Sequence, residues 1–323
     1  MKEVLLNFPN QVRDAAKASW KVELLPKFKP SSIVICGMGG SAIGGDLLAG
    51  LLKDQVDIPV FVNRDYGLPN FVGERTFVFI SSYSGNTEET LSAYKEATYR
   101  TKNIVCITSG GKLASSNPKY ILKVPSGYQP RCALGWLLIP MIVFLHRLGL
   151  IRNPSSDLEE SIELLSRLGE EFGNNKSNPH GLAKKLMGKM PIIYSDLRFG
   201  AVARRWAGQL NENAKQFAHF NVFSELNHNE IVGCGEPKIP CLTVLLKDKG
   251  YNERIKLRIE ITKRIISPYT KIEEIESKGE SLLARFFSLI YFGDWTSYWL
   301  ATLKNIDPTP VERIEWLKKE LTK

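Results

Sequence analysis

Four short apolar runs, SIVIC (32–36), IPVFVN (58–63), TFVFIS (76–81) and NIVCITS (103–109), constrain this chain most. Each is rich in β-branched residues and bounded by turn residues, which predicts buried strands. Helix-like stretches stand between some of them, such as SAIGGDLLAGLLKD and TEETLSAYKEATYRT. Strands that alternate with helices predict a parallel sheet covered by helices on both faces. LKVPSGYQPR then leads into a long apolar helix, CALGWLLIPMIVFLHRL. The second half repeats the pattern. Helices are predicted at 158–172 and 179–188, a strand at PIIYS (191–195), and a helix from about 199. CLTVLLKD (241–248), a helix near 252–266, IEEIES (272–277) and a long helix at 280–303 follow. VERIEWLKKELTK reads as a last amphipathic helix, reached through the turn Asp307-Pro308-Thr309-Pro310.

A chain of 323 residues suits two domains. The polar stretch IRNPSSD (151–157) reads as the linker, giving domains at 1–150 and 151–323. No unbroken apolar stretch of about 18 residues occurs, so no membrane span is expected. MKEVLLNFPNQVRDAAKASW carries charges through its apolar positions and reads as an amphipathic helix, so a reducing cytoplasm is the expected compartment. Five scattered cysteines (Cys36, Cys106, Cys132, Cys234, Cys241) form no Cys-x-x-Cys pair. Neither a disulfide framework nor a structural zinc site is expected. The net charge is +9, yet neither half holds a basic run of five or six residues. That argues against a nucleic-acid face and is compatible with small anionic substrates.

Two loops carry the chemistry, each at the carboxyl end of a predicted strand, where doubly wound sheets bind ligands. The first is Gly37-Met38-Gly39-Gly40-Ser41-Ala42. The second is Ser81-Ser82-Tyr83-Ser84-Gly85-Asn86-Thr87, followed by Glu88 and Glu89. Both open helices, whose first N–H groups lack partners and carry partial positive charge. Glycines allow close backbone approach. Ser82, Ser84 and Thr87, with Ser41 from the first loop, add neutral donors. Such a site binds a phosphate monoester without lysine or metal. A helix cap also contributes to the second loop, but capping needs one hydroxyl, not three. GMGGSA also fits the dinucleotide pattern G-x-G-x-x-A, with Asp65 as the acidic partner and Arg64 beside it. That reading leaves the second loop unexplained. A nucleotide P-loop fails at Gly111-Lys112-Leu113.

The second half holds the catalytic candidates. Asn211-Glu212-Asn213-Ala214-Lys215 ends a helix and offers a carboxylate among amides, which suits a general base. His228 stands in Glu225-Leu226-Asn227-His228-Asn229-Glu230-Ile231, where polar neighbours suit proton transfer. His146, inside an apolar helix, reads as structural.

In that order, GMGGSAIGGD, SSYSGNTEET, PRCALG, NENAK, ELNHNEIVG and DPTPV resemble the archaeal-type bifunctional phosphoglucose/phosphomannose isomerases of the sugar isomerase (SIS) superfamily. The resemblance covers almost the whole chain. It implies two SIS domains, each a five-stranded parallel sheet flanked by helices. It implies a homodimer with the site at the domain and subunit junction. It further implies interconversion of glucose 6-phosphate or mannose 6-phosphate with fructose 6-phosphate through a cis-enediol, with no cofactor and no metal. By position, Gly40, Ser41, Ser82, Ser84 and Thr87 would hold the phosphate and Glu212 would be the base. Arg131 would stabilise the enediolate. His228, donated by the other subunit, would open the ring. Thr309 and Lys318, rather than Lys319, would match the remaining family positions. The competing readings are a monofunctional isomerase of another phosphosugar and a non-catalytic phosphosugar-binding regulator.

Overall fold

The computed structural model describes residues 1–234 and 239–321. In chain order it contains α1 (Lys2–Leu6), α2 (Phe8–Lys21), β1 (Ser32–Cys36), α3 (Gly39–Leu52), β2 (Val60–Asn63) and β3 (Thr76–Ser81). Then come α4 (Glu88–Arg100), β4 (Ile104–Thr108), α5 (Gly111–Ser115), β5 (Ile121–Lys123), α6 (Leu134–Arg147) and α7 (Ser155–Phe172). The remainder is α8 (Asn178–Leu186), β6 (Met190–Asp196), α9 (Gly200–Ala214), β7 (His219–Phe223), α10 (Glu230–Gly233), β8 (Cys241–Lys247), α11 (Glu253–Ile266), β9 (Lys271–Glu276), α12 (Leu282–Leu303) and α13 (Glu312–Leu321).

The chain divides into two compact units. The N-terminal unit comprises Asn7–Glu163 and Ser281–Ala284. The C-terminal unit comprises Met1–Leu6, Leu164–Glu280 and the chain from Arg285 onward. The division falls inside α7, later than the polar stretch at 151–157.

The N-terminal unit holds a parallel sheet of order β2-β1-β3-β4-β5. Every residue of β1 and β3 is buried, as continuous β-branched runs in a sheet covered on both faces should be. On one face Val34, Cys36, Val78, Ile80 and Cys106 pack with Ala93 and Ala97 of α4 and Leu113 of α5. Burial among these apolar groups pushes the Cys36 thiol pKa up to about 12, so it behaves as a small hydrophobe. On the other face α3 lies close to the sheet, with Gly45 against Ile35 and Val62.

The C-terminal unit holds a parallel sheet of order β7-β6-β8-β9. This repeats the order β2-β1-β3-β4. Among the described residues it has four strands, one fewer than the resemblance implies. After β9 the chain runs into the 22-residue α12, and among the described residues no counterpart of β5 forms. α12 is buried nearly all round. It still carries Asp294, which accepts from Arg205 Nε at 3.1 Å and Nη2 at 2.7 Å and from Gln209 Nε2 at 2.9 Å. Among the described residues no helix is long and apolar enough to cross a membrane.

Arg205 and Asp294 side chains are only 5% and 6% exposed. Asp294→Ala should therefore cost about 3–5 kcal/mol, because it strands a buried guanidinium. The exposed pair Lys256–Glu253 should be worth less than about 1 kcal/mol. Chemical denaturation of Asp294→Ala and Glu253→Ala checks this, and equal losses would contradict it.

Candidate active site

In the N-terminal unit, β1 and β3 are neighbours, and both candidate loops leave their carboxyl ends. The chain goes outward to β2 on one side and β4 on the other, so this is the switch point of the sheet. The Ser41 hydroxyl joins the loops by accepting the Tyr83 N–H at 3.2 Å. Ser82 Oγ donates to Thr87 Oγ1 at 3.2 Å and accepts the Gly85 N–H at 3.1 Å. Ser84 is exposed, and its Oγ accepts the Asn86 N–H at 3.2 Å. Thr87 occupies the N-cap position of α4, but its hydroxyl makes no capping bond. The expected side-chain cap is therefore absent. Thr87 Oγ1 instead receives Ser82, which leaves the first turn of α4 without a side-chain cap and suited to an anion.

The loop is braced by the turn that holds Gly110 and Gly111, which the sequence marks only as a failed P-loop. Gly85 has φ +67°, and a Cβ there would lie 1.8 Å from the Gly110 oxygen. Only glycine fits. Ser109 donates to the Tyr83 oxygen through N–H at 2.9 Å and Oγ at 2.7 Å. Lys112 N–H donates to Asn86 Oδ1 at 2.9 Å. The available signal was the Gly110-Gly111 pair that follows the run NIVCITS. Gly40 has a different task. A Cβ there would meet the Pro130 oxygen at 2.7 Å and the Arg131 nitrogen at 2.9 Å. Its absence lets the start of α3 lie against the 3-10 turn Pro130–Cys132, where Arg131 is 3% exposed. Gly40, Ser41, Ser82, Ser84, Thr87 and Arg131 thus belong to one neighbourhood.

In the C-terminal unit, Glu212 lies half-buried in the last turn of α9. The helix ends at Lys215, whose φ of +49° is left-handed. Lys215 Nζ donates to the carbonyls of Glu212 at 2.7 Å, Pro310 at 2.8 Å and Asp307 at 3.3 Å. A second amine, Lys304 Nζ, donates to the Ala214 carbonyl at 2.8 Å. Two cations thus serve the orphan carbonyls and negative end of α9. The same Lys215 bonds bring the Thr309 turn to the helix that carries Glu212. Thr309 is exposed, and its N–H donates to Asp307 Oδ1 at 2.8 Å. Lys318 and Lys319 are both exposed on α13, the helix that follows.

His228 ends a 3-10 turn, Glu225–His228, just after β7. Its neighbours are secured. Leu226 is fully buried, Asn227 Nδ2 donates to Thr262 Oγ1 at 2.8 Å, and Asn229 Nδ2 donates to Glu225 Oε1 at 2.7 Å. The His228 ring is exposed and, among the described residues, makes no hydrogen bond. Glu230 accepts from Tyr194 Oη at 2.6 Å, Asn221 Nδ2 at 2.5 Å and His219 Nε2 at 3.1 Å. Burial pushes the Glu230 carboxyl up, but the bonds from Tyr194, Asn221 and His219 together outweigh it and hold the group below its ordinary value.

The loop after β8 corresponds by strand order to the hydroxyl loop after β3. Here a carboxylate, Asp248, stands just after the strand, and Asn252 caps α11 by accepting the Arg254 N–H at 2.8 Å. Asp248 Oδ1 accepts the Gly250 N–H and Arg285 Nη1, both at 2.8 Å, and its Oδ2 accepts Ser277 Oγ at 2.6 Å.

Paired parallel sheets of this order, with a neutral-donor loop at one switch point, define the SIS class of α/β protein. A family model, "Bacterial phospho-glucose isomerase C-terminal SIS domain", matches residues 175–321. A bifunctional phosphoglucose/phosphomannose isomerase of Caldicellulosiruptor bescii is 45% identical, over 99% of this chain and 98% of its own. A protein of the same description from Thermoplasma acidophilum is 41% identical over 90% of each chain. A solved hypothetical protein of Thermus thermophilus shares the fold, with TM-score 0.78, 16% identity and coverage of 98% of this chain and 88% of that one. The chain belongs to the bifunctional phosphoglucose/phosphomannose isomerase family.

The depressed Glu230 pKa sets a direction for stability. A carboxyl with a lowered folded pKa stabilises fully above its ordinary value of 4.5, and the gain is lost as pH falls through the folded value. Glu230→Gln should lower stability at pH 7 by about 1.5–3 kcal/mol, the usual worth of a hydrogen bond to a charged group. The gap to the parent should close on acidification below 4.5. Thermal melting at stepped pH measures it, and a gap independent of pH would contradict the assignment.

Proposed function

We propose that the protein is an aldose–ketose isomerase that interconverts glucose 6-phosphate and mannose 6-phosphate with fructose 6-phosphate through a cis-enediol. The observation that carries this reading is the contrast between the two equivalent loops. After β3 the hydroxyls of Ser82, Ser84 and Thr87 surround a helix start with no side-chain cap, whereas after β8 Asp248 occupies the corresponding loop. Kinship over the full chain supplies the substrate class.

In this reading Gly40, Ser41, Ser82, Ser84 and Thr87 bind the phosphate. His228 opens the ring by taking the O1 hydroxyl proton and returning a proton to O5. Glu212 removes the C2 proton of the open-chain aldose and delivers it to C1 of the enediol. Arg131 stabilises the enediolate oxygen, the task of a preorganised cation. Rotation about C2–C3 presents either epimer's C2 hydrogen to one base, and Thr309, a small side chain, leaves room for it. Lys318 completes the set from α13. The halves divide the labour, with phosphate binding in 1–150 and proton transfer in 151–323. The exposed, unengaged His228 ring supports a homodimer in which each subunit lends this histidine to its partner. Action on sugar phosphates suits the cytoplasm.

Purified protein in EDTA should form fructose 6-phosphate from each aldose phosphate supplied alone. Ser84→Ala should raise KM several-fold with little change in kcat, because its contact is common to ground and transition states. Glu212→Gln should keep phosphate-ester binding and lose kcat by at least about 100-fold, the lower range for a positioned general base. Tight binding without turnover by the parent would instead identify a sensor.

A further inference from the structure

Glu230 is the most heavily hydrogen-bonded carboxylate on the segment that carries His228, and the proposed chemistry gives it no task. Its partners come from two adjacent strands. Tyr194 belongs to β6, and Asn221 and His219 belong to β7, with Tyr194 directly paired to Asn221 in the sheet. Tyr194 is fully buried, and its Oη also lies 3.4 Å from Cys234 Sγ. The carboxylate therefore fastens the chain just beyond His228 to the face of the sheet. On the other side, Leu226 and Asn227 fasten the chain just before it. The exposed imidazole is the one side chain between these anchors that faces outward without a bond of its own among the described residues. A ring-opening group must meet two oxygens of the sugar in a fixed geometry, and rigid supporting contacts are what supply such geometry.

We propose that Glu230, clamped by Tyr194, Asn221 and His219, is a positioning residue that fixes the backbone of the His228 turn for ring opening. The inference rests on the reading of His228 as the ring-opening group. It assigns no direct contact between Glu230 and substrate.

A double-mutant cycle tests it on the full-length enzyme. Glu230→Gln should lower kcat for glucose 6-phosphate about 10- to 100-fold, with KM within about twofold, as expected for a displaced catalytic group. In a His228→Ala background the same substitution should cause no further loss, because its effect passes through the imidazole. Asn221→Ala, which removes one donor and keeps the carboxylate, should give a milder loss of the same kind. Enzyme-catalysed anomer interconversion, followed by NMR exchange, should fall in parallel with kcat. Equal losses in both backgrounds would overturn the proposal, as would a normal kcat in Glu230→Gln and Asn221→Ala with His228→Ala slow. A fully active His228→Ala enzyme would remove the reading of His228 itself, and the proposal with it.

Discussion

The seam between α9 and α12 decides where the proposed base can stand. Arg205, Gln209 and Asn213 recur at intervals of four along α9, so they lie on one helix face. Each bonds to α12, the first two to Asp294 and the third to Ser297 at 2.9 Å. The buried Trp206 adds a bond from Nε1 to the Leu289 carbonyl at 2.8 Å and stacks on Phe292. Buried polar groups tolerate few alternative partners, so this seam sets the helix register as well as its position. Glu212 immediately precedes Asn213, the last bond of the series, and is turned from it by one helical step. A shift of α9 along α12 would carry the carboxylate with it and strain the Asp294 bonds, so those bonds hold Glu212 in place.

The two sheets share a strand order but put their switch points to different uses. After β3, hydroxyls converge on a helix start that has no side-chain cap and carries Glu88 and Glu89 in its first turn. After β8, Asp248 bonds the Gly250 N–H, Ser277 and Arg285, and Asn252 caps the start of α11 by accepting the Arg254 N–H. One copy of the architecture leaves its helix start without a side-chain cap, and the other caps it with Asn252. The C-terminal unit then places its proton-transfer candidates elsewhere, at the capped end of α9 and in the turn after β7.

Much of the fold was legible because buried parallel strands are nearly uniform apolar runs. SIVIC and TFVFIS match β1 and β3 end to end. β7 was passed over because HFNVF begins with His219 and interrupts its apolar pattern with Asn221, whose side chain serves Glu230. β5 was missed because three residues are too few to show a period. In the site, the hydroxyls and glycines stood out by composition, while their bracing did not. Lys215 reads as an ordinary surface lysine until its amine is seen to join three carbonyls, one of them 95 residues further along the chain. Glu230 reads as part of a polar turn, because the strands that hold it precede it in the chain.

In the proposed chemistry one carboxylate serves both epimers through a shared enediol. Incubating fructose 6-phosphate with the enzyme in deuterium oxide, and reading C2 of each aldose product by NMR, tests it most directly. Deuterium should appear at C2 of both glucose 6-phosphate and mannose 6-phosphate, and both labels should be lost together in Glu212→Gln. Label in only one epimer, or persistence of either label in the variant, would contradict it.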